Sequence, residues 1–496
     1  MIPFTKTLAD PVTQGDKERY FSAVAGTASQ PDTISWDAKR GGTIFRVELA
    51  GTDKDQFEIM SSGENHAVVV FNPSKGNVGI ARAVLRAKSA TGRTVHVVAL
   101  TGLGAKGLEG ENEPPLSRVF DALGYRINLG WESLANHCKP ELQGDEIAAS
   151  LFEMAKKGPV KITPVARYSP DFELPFGYYI NGSEGAVKHQ VGTLAKAGPY
   201  PEHQALFPEM EGDVSFDPGK AEFGFFVTGP DHSAYSEDHW NQIYHKENVG
   251  HPVRIYAAKD RNGKVVKNTY FICFEEARNG DYNDYVFLVE NIKPVIATFT
   301  TLFNGKNLDG WDLFLEGTGN TDPDHNFRIG NETLHVNGRQ VGYVITKGSY
   351  TNYHFKVDFK WGAKRWPPRE NTKRDAGVCY HISAEEPFKI WPKCVECQVQ
   401  EGDVGDFWLI GMTTIEVDGK RSPLKDYQRL QKKKDAENPT GQWNTLEILS
   451  YNGKCIHILN GEVVNYGENA SIKSGRILLQ SEYAEIYYKN VMIREL

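Results

Sequence analysis

Along most of this chain apolar residues recur at every second position, in short runs closed by turn residues. TIFRVEL (43–49), YHFKVDFKW (353–361) and CVECQVQ (394–400) all read this way. A period of two is the repeat of a strand with one buried face, and it sets the chain apart from helical bundles. HILNGEVVN (457–465) adds a hairpin signal, because Asn460-Gly461 suits a turn in which both central residues take positive φ. No apolar run approaches the roughly 18 residues of a membrane helix. A net charge of -8 argues against a nucleic-acid partner, since neutralising phosphates needs a basic face.

At 496 residues the chain is too long for one ordinary core. Residues 1–105 run strand after strand, with HAVVVFNP, GIARAVLRAK and TVHVVALTGLG separated by turns. This spacing predicts an antiparallel sandwich, and the segment resembles immunoglobulin-like modules of bacterial surface proteins. Residues 106–297 predict a second β-rich domain with two helices. EPPLSRVFDALG (113–124) opens on prolines and closes on Gly124; GDEIAASLFEMAKKG (144–158) offers Asp145 as N-cap and Gly158 as C-cap. The domain ends in GDYNDYVF (280–287), where Asp281 and Asp284 are candidate calcium ligands through hard oxygens. A solvated turn ahead of a strand explains the same residues. Residues 298–496 are almost wholly strand-like and predict a two-sheet jelly roll.

In CVECQVQEGDVGDFW (394–408), Cys394 and Cys397 have C-x-x-C spacing. Strand parity sends them to opposite faces, which excludes a shared zinc and a disulfide. Cys397 joins Val395 and Val399, leaving Glu396 and Gln398 on the other face. The remaining cysteines, Cys138, Cys273, Cys379 and Cys455, are scattered and read as small core hydrophobes.

Four stretches carry a resemblance: LFNGKNLDGW (302–311), RDAGVCYHI (374–382), ECQVQEGDVGDFW (396–408), and QWNTLEI (442–448) followed by LNGEVV and GRILLQSEYAEIYYKNVMI. In this order they resemble the 3-keto-disaccharide hydrolase family over the last 200 residues. The resemblance implies a concanavalin A-like sandwich acting on glycosides whose C3 hydroxyl is already a ketone. It also implies a carbohydrate substrate and a periplasmic or extracellular location. The opening MIPFTKTLADPVTQ has no basic-then-apolar leader pattern, so an exported protein would have lost its leader. No nucleotide cofactor is expected. His381 departs from the family's usual Arg, and KWGAKRWPPRENTKRD (360–375) is a long basic-aromatic insert.

Parity then groups Asp375, Gly377, Cys379 and His381 on one face of the neighbouring strand. If that face is the groove, Glu396 and His381 form the central catalytic pair, with Asp375 and Gln398 beside them. A C3 ketone acidifies the C2 hydrogen; a base removes it, the enolate expels the C1 group, and water adds afterwards. Lys360 or Arg374 is the candidate electrophile at the ketone oxygen, and Gln398 the residue that orients a hydroxyl. Trp366 and Trp391 are the candidate sugar platforms, preferred over Trp361 and Trp408. Asp403 and Asp406 are candidate ligands for a divalent metal such as calcium. Two other readings stay open: a two-carboxylate glycosidase, which needs carboxyls about 5 to 9.5 Å apart, and a carbohydrate-binding or adhesion module without catalysis.

Overall fold

The fold is taken from a computed structural model that describes residues 17–37, 44–108, 110–131, 140–182, 185–197, 202–245, 250–275, 279–296 and 298–496. Cys138 lies outside them. The chain divides into two compact units. The first comprises Met1–Gly182, Ala186–Glu237 and His251–Ile296; the second comprises Ser183–Gly185, Asp238–Gly250 and Ala297–Leu496. Both are mainly β. Among the described residues no helix is long and apolar enough to cross a membrane.

In the first unit a four-stranded sheet (order Glu18–Val24, Thr94–Ala105, Gly79–Ser89, Ile44–Ala50) and a three-stranded one (Asp32–Ser35, His66–Phe71, Phe57–Ser62) enclose Ile34, Phe71, Leu85 and Val98. Glu18–Val24 runs parallel to Thr94–Ala105. A second core, with Phe176, Phe225, Ile272 and Phe287, is built from strands of a five-stranded and a six-stranded sheet. We keep the boundary at 105/106 as a proposal.

The helix at Leu116–Leu123 forms as its sequence predicts. Gly124 closes it in the left-handed conformation, and its amide reaches back to the Phe120 and Asp121 carbonyls. The helix expected at 144–158 is corrected: Leu151–Met154 is a strand paired with Ile292–Val295. Asp145 caps no helix; it accepts the Asn128 amide and pairs with Lys259 at 2.6 Å. Long-range pairing overrides the local propensity here. A helix at Asp238–His245 was not expected from the sequence.

The second unit is a sandwich of two antiparallel sheets. One runs in the order Phe327–Gly330, Thr333–Val336, Ala484–Glu495, Tyr353–Arg365, Asn444–Tyr451, Lys454–Leu459, Glu462–Gly467, with Thr300–Thr301 also on Ala484–Glu495. The other runs Trp311–Leu315, Gly342–Thr346, Arg476–Ser481, Gly377–Ile382, Cys394–Gln398, Phe407–Ile410, Tyr427–Leu430. Alternate residues of both sheets fill the space between them: Phe355, Val357 and Phe359 from one, Val378, Val395, Cys397 and Leu479 from the other. The opposite face of the seven-stranded sheet is therefore free to carry polar groups.

Asn460 (φ 51) and Gly461 (φ 82) make the hairpin turn between two adjacent strands. A side chain at Gly461 must adopt the left-handed region at a cost of about 1–2 kcal/mol. Gly461→Val is expected to lower the stability of the second unit by that amount in denaturant melts, with folded-state circular dichroism unchanged.

Candidate active site

The outward face of the seven-stranded sheet is where Glu396 emerges. It sits opposite Cys379 on one neighbouring strand and Trp408 on the other. The same face carries Cys394 and Gln398 from its own strand, Gln480 from the Arg476 strand, and Gly377. Apolar cover comes from Tyr343, Ile345, Cys379, Cys394 and Leu478, with Trp391 packed on them. Part of the 383–393 segment lies over this cluster, since Tyr343 Oη donates to the Lys389 carbonyl at 3.1 Å.

Glu396 is only 5% exposed. Its carboxyl rests over the neighbouring backbone at Gly377: a Cβ added there would overlap Glu396 Oε1 and stand 2.6 Å from Gln480 Oε1. Two carboxyl-type oxygens thus converge on one small space, and Gln480 Oε1 has no donor in the structure. Burial pushes the Glu396 carboxyl well above the usual range. The negative charges of Glu482 and Asp375 push it the same way, and a hydrogen bond from Gln480 opposes. A neutral Glu396 acid supplies the donor that the Gln480 oxygen lacks.

Asp375 and Glu482 complete the cluster. They are bridged across strands, and one nitrogen of Arg369 lies 2.5 Å from Asp375 and 2.6 Å from Glu482. Gln400 Nε2 also donates to Asp375 at 2.8 Å, while Asp375 Oδ1 is buried without a donor. Burial raises the Asp375 carboxyl, the Glu482 charge raises it further, and Arg369 opposes. Burial raises Glu482 too, again against Arg369. Two of the carboxyls thus share one guanidinium nitrogen, and the third, Glu396, feels the charges of both.

Residues 298–494 match the family model described as the 3-keto-alpha-glucoside-1,2-lyase-like domain. The C-terminal domain is similar to that family over this stretch. Its match supports a carbohydrate-active protein. No curated protein matches the chain. Among solved structures, a protein of Parabacteroides distasonis ATCC 8503 provisionally assigned as a glycosyl hydrolase is 22% identical, with 40% of this chain and 94% of that one covered (TM-score 0.30). The carbohydrate binding module CBM66 of Bacillus subtilis is 11% identical over 38% and 96% (TM-score 0.27). The Bacillus licheniformis beta-glucanase is 10% identical over 40% and 96% (TM-score 0.27). At these TM-scores the likenesses carry no weight, and the fold of the 3-keto-alpha-glucoside-1,2-lyase-like domain rests on its strand order.

Within that domain the structure brings together only part of the expected site. Glu396, Gln398 and Trp391 share the outward face, and Asp375 belongs to the cluster. His381 does not, which corrects the expected pairing. A register shift between Cys379 and Ile382, with His381 at φ 62, turns its ring into the sandwich. There it bonds Ser450 Oγ of the other sheet at 2.8 Å and packs on Tyr353 and Tyr380, and burial lowers its pKa to about 3. A neutral imidazole locked between sheets cannot serve Glu396.

Lys360 is corrected as well. It lies on the eight-stranded sheet, 4.9 Å from the Trp443 ring centroid and 5.4 Å from that of Tyr487, on the far side of the core from Glu396. Arg374 is taken up by the Gly362 carbonyl and by Glu401 at 3.0 Å. Trp366 bonds the Asn337 carbonyl and is approached by Arg339. The metal assignment of the 401–408 turn is corrected too. Asp403 pairs with Lys373 at 2.6 Å and Arg429 at 3.0 Å; Asp406 takes Arg429 Nε at 2.5 Å and the Lys432 amide at 2.7 Å. Protein cations fill the places that a metal would take.

Gln480 and Glu482 were not singled out from the sequence. Trp408 is signalled by parity, since it lies one residue past core-facing Phe407 and opposite Glu396; its indole N–H is buried without an acceptor. Arg369 and Glu482 come from segments far apart in the chain, and nothing in either stretch announces the other. Gly377→Ala is expected to displace Glu396, costing about 1–3 kcal/mol of stability by overpacking. Its loss of turnover should exceed that of a control, Gly330→Ala, whose added Cβ meets nothing within 4 Å. Equal losses would remove Gly377 from the site.

Proposed function

We propose that the C-terminal domain cleaves 3-keto-glycosides by elimination. The observation that carries this reading is the grouping of buried Glu396 and Asp375 with half-buried Glu482, the last two paired with Arg369. The family match supports the substrate class. A carboxylate takes the proton from C2 of the keto sugar; the electron pair moves toward the C3 oxygen and then expels the group on C1, which leaves with a proton from an acid. Water adds later across the C1–C2 double bond, one hydrogen going to C2 and the hydroxyl to C1.

The residues divide these tasks by environment. Glu396, whose carboxyl burial and the neighbouring acids push well above the usual range, suits the acid that protonates the leaving oxygen. Asp375 carries an oxygen without a donor; burial and the Glu482 charge raise its carboxyl to about 7 against Arg369, a value that suits a base working near neutral pH. Arg369 is the cation beside Asp375 and Glu482, suited to hold an enolate oxygen as charge develops on it. Trp408 and Trp391 offer indole surface on the same face.

The assay is release of sugar from a 3-keto-disaccharide and from its unoxidised parent. Cleavage of the keto compound alone is expected. Equal cleavage of the parent would replace elimination by a two-carboxylate mechanism, and binding of either sugar without turnover would leave a carbohydrate-binding module. Glu396→Gln is expected to lower turnover by at least ~10²-fold, a typical acid–base contribution; unchanged turnover would take Glu396 out of the mechanism.

The same substitution has a stability signature. Folding raises the Glu396 pKa, so the folded state binds the proton more tightly than the unfolded one. Stability is thus fully present at pH below the ordinary Glu value of about 4.3 and declines as pH rises above it. Gln has no such dependence. Glu396→Gln is therefore expected to gain more than ~1 kcal/mol on the wild type between pH 4 and pH 8 in urea melts.

A further inference from the structure

The connection between Val265–Phe274 and Tyr285–Glu290 in the first unit carries a second buried acidic group. Glu275, Asp281 and Asp284 are 0%, 3% and 6% exposed, and an oxygen of each lies within 4.8 Å of the others. The turn holds them there. The Asp281 and Tyr282 amides donate to Glu275 Oε2 at 2.8 and 3.1 Å, and Tyr282 takes a left-handed φ of 55. Tyr282 Oη then anchors the turn to the His251 carbonyl at 2.6 Å.

Four other oxygens of the turn have no donor. Glu275 Oε1 and Asp281 Oδ1 are buried with no donor, and so are the side-chain carbonyls of Asn279 and Asn283. The amides of those asparagines point their N–H groups elsewhere, to Asp281 Oδ2 and to the Pro114 carbonyl. No lysine or arginine pairs with Glu275 or Asp281 among the described residues, in contrast to every acid of the 401–406 turn. Orphaned buried acceptors are costly. One cation satisfies several at once, whereas a proton converts one oxygen into one donor.

We propose that this turn is a binding site for a hard divalent cation of the calcium class, with Glu275, Asp281 and Asp284 as its carboxylate ligands. All the donors are oxygens, which suits calcium and magnesium rather than softer metals. Calcium–oxygen bonds of about 2.3–2.6 Å put ligands on opposite sides of the ion about 4.6–5.2 Å apart, so a set spanning up to 4.8 Å encloses it. Magnesium needs a tighter octahedron at about 2.0–2.1 Å. Bound there, the ion ties the end of one central strand to the start of the next. The site does not depend on the activity proposed for the other unit.

The test uses the full chain, stripped with a chelator. Terbium chloride serves as the probe, excited through Tyr282, which sits within the turn. Terbium emission that calcium chloride displaces, and magnesium chloride displaces at least tenfold less well, is expected, together with a calcium-dependent rise in melting temperature. Asp281→Asn and Glu275→Gln should each weaken calcium binding at least tenfold, while Asp435→Asn, an exposed acid paired with Lys432, should leave it unchanged. Absence of terbium emission and of any calcium shift in the wild type would overturn the proposal. So would Asp281→Asn raising the melting temperature with calcium having no effect on either protein, because that result means the carboxyls share protons instead.

Discussion

The carboxyl of Glu396 occupies a space that exists only because the adjacent strand carries no side chain at position 377. This one accommodation sets up most of the site. With Gly377 beneath it, Glu396 lies flat against the sheet under Gln480 and between Cys379 and Trp408, out of water. A carboxyl in that position is expensive to ionise. Burial therefore favours its protonated form, which is the state that an acid catalyst needs and a structural ion pair does not. The stability given up at neutral pH is the physical mark of a site kept for chemistry.

Arg369 is the second constraint. It comes from the insert 360–375, outside the strands that carry Gln480, Gly377 and Glu396, and reaches Asp375 and Glu482 with a single nitrogen. One positive charge shared by two carboxyls, with a third close by, leaves the group short of compensation, and the pKa of each carboxyl is raised. The acids at 401–406 differ. Glu401 is held by Arg374 and Thr440, Asp403 by Lys373 and Arg429, Asp406 by Arg429 and a backbone amide. Their partners hold Glu401 and Asp403 below the usual carboxylate range. Density of acids along the chain is thus a poor guide to reactivity; the ratio of acids to cations in space is a better one.

Strand parity explains what was legible. It separated Cys394 from Cys397, sent Cys397 to the core, and left Glu396 and Gln398 on the outward face, all as the structure has them. Asn460-Gly461 announced its turn by the same local logic. Parity fails where a strand is interrupted: the shift before Ile382 turns His381 inward, and a count of alternating residues cannot register it. It also cannot say which of two sheets a strand joins, and Lys360 was lost that way. The 144–158 segment failed for a third reason. Its caps and charges favour a helix, but pairing with Ile292–Val295, nearly 140 residues along, decides its conformation.

The two buried acidic groups show how one problem is resolved in two ways. Each gathers three carboxyls out of water, where mutual repulsion and lost hydration oppose ionisation. On the sandwich face the protein supplies Arg369, which fixes two of the three acids and leaves Glu396 free to keep its proton. At Glu275 and the 279–284 turn the protein supplies backbone amides to one oxygen of Glu275 and leaves several other acceptors buried with no donor. A guanidinium is planar and serves carboxylates at its edge, whereas a spherical ion accepts oxygens from all sides. The residual acceptors of the turn are of the second kind. Their arrangement calls for an ion, just as the arrangement around Arg369 does not.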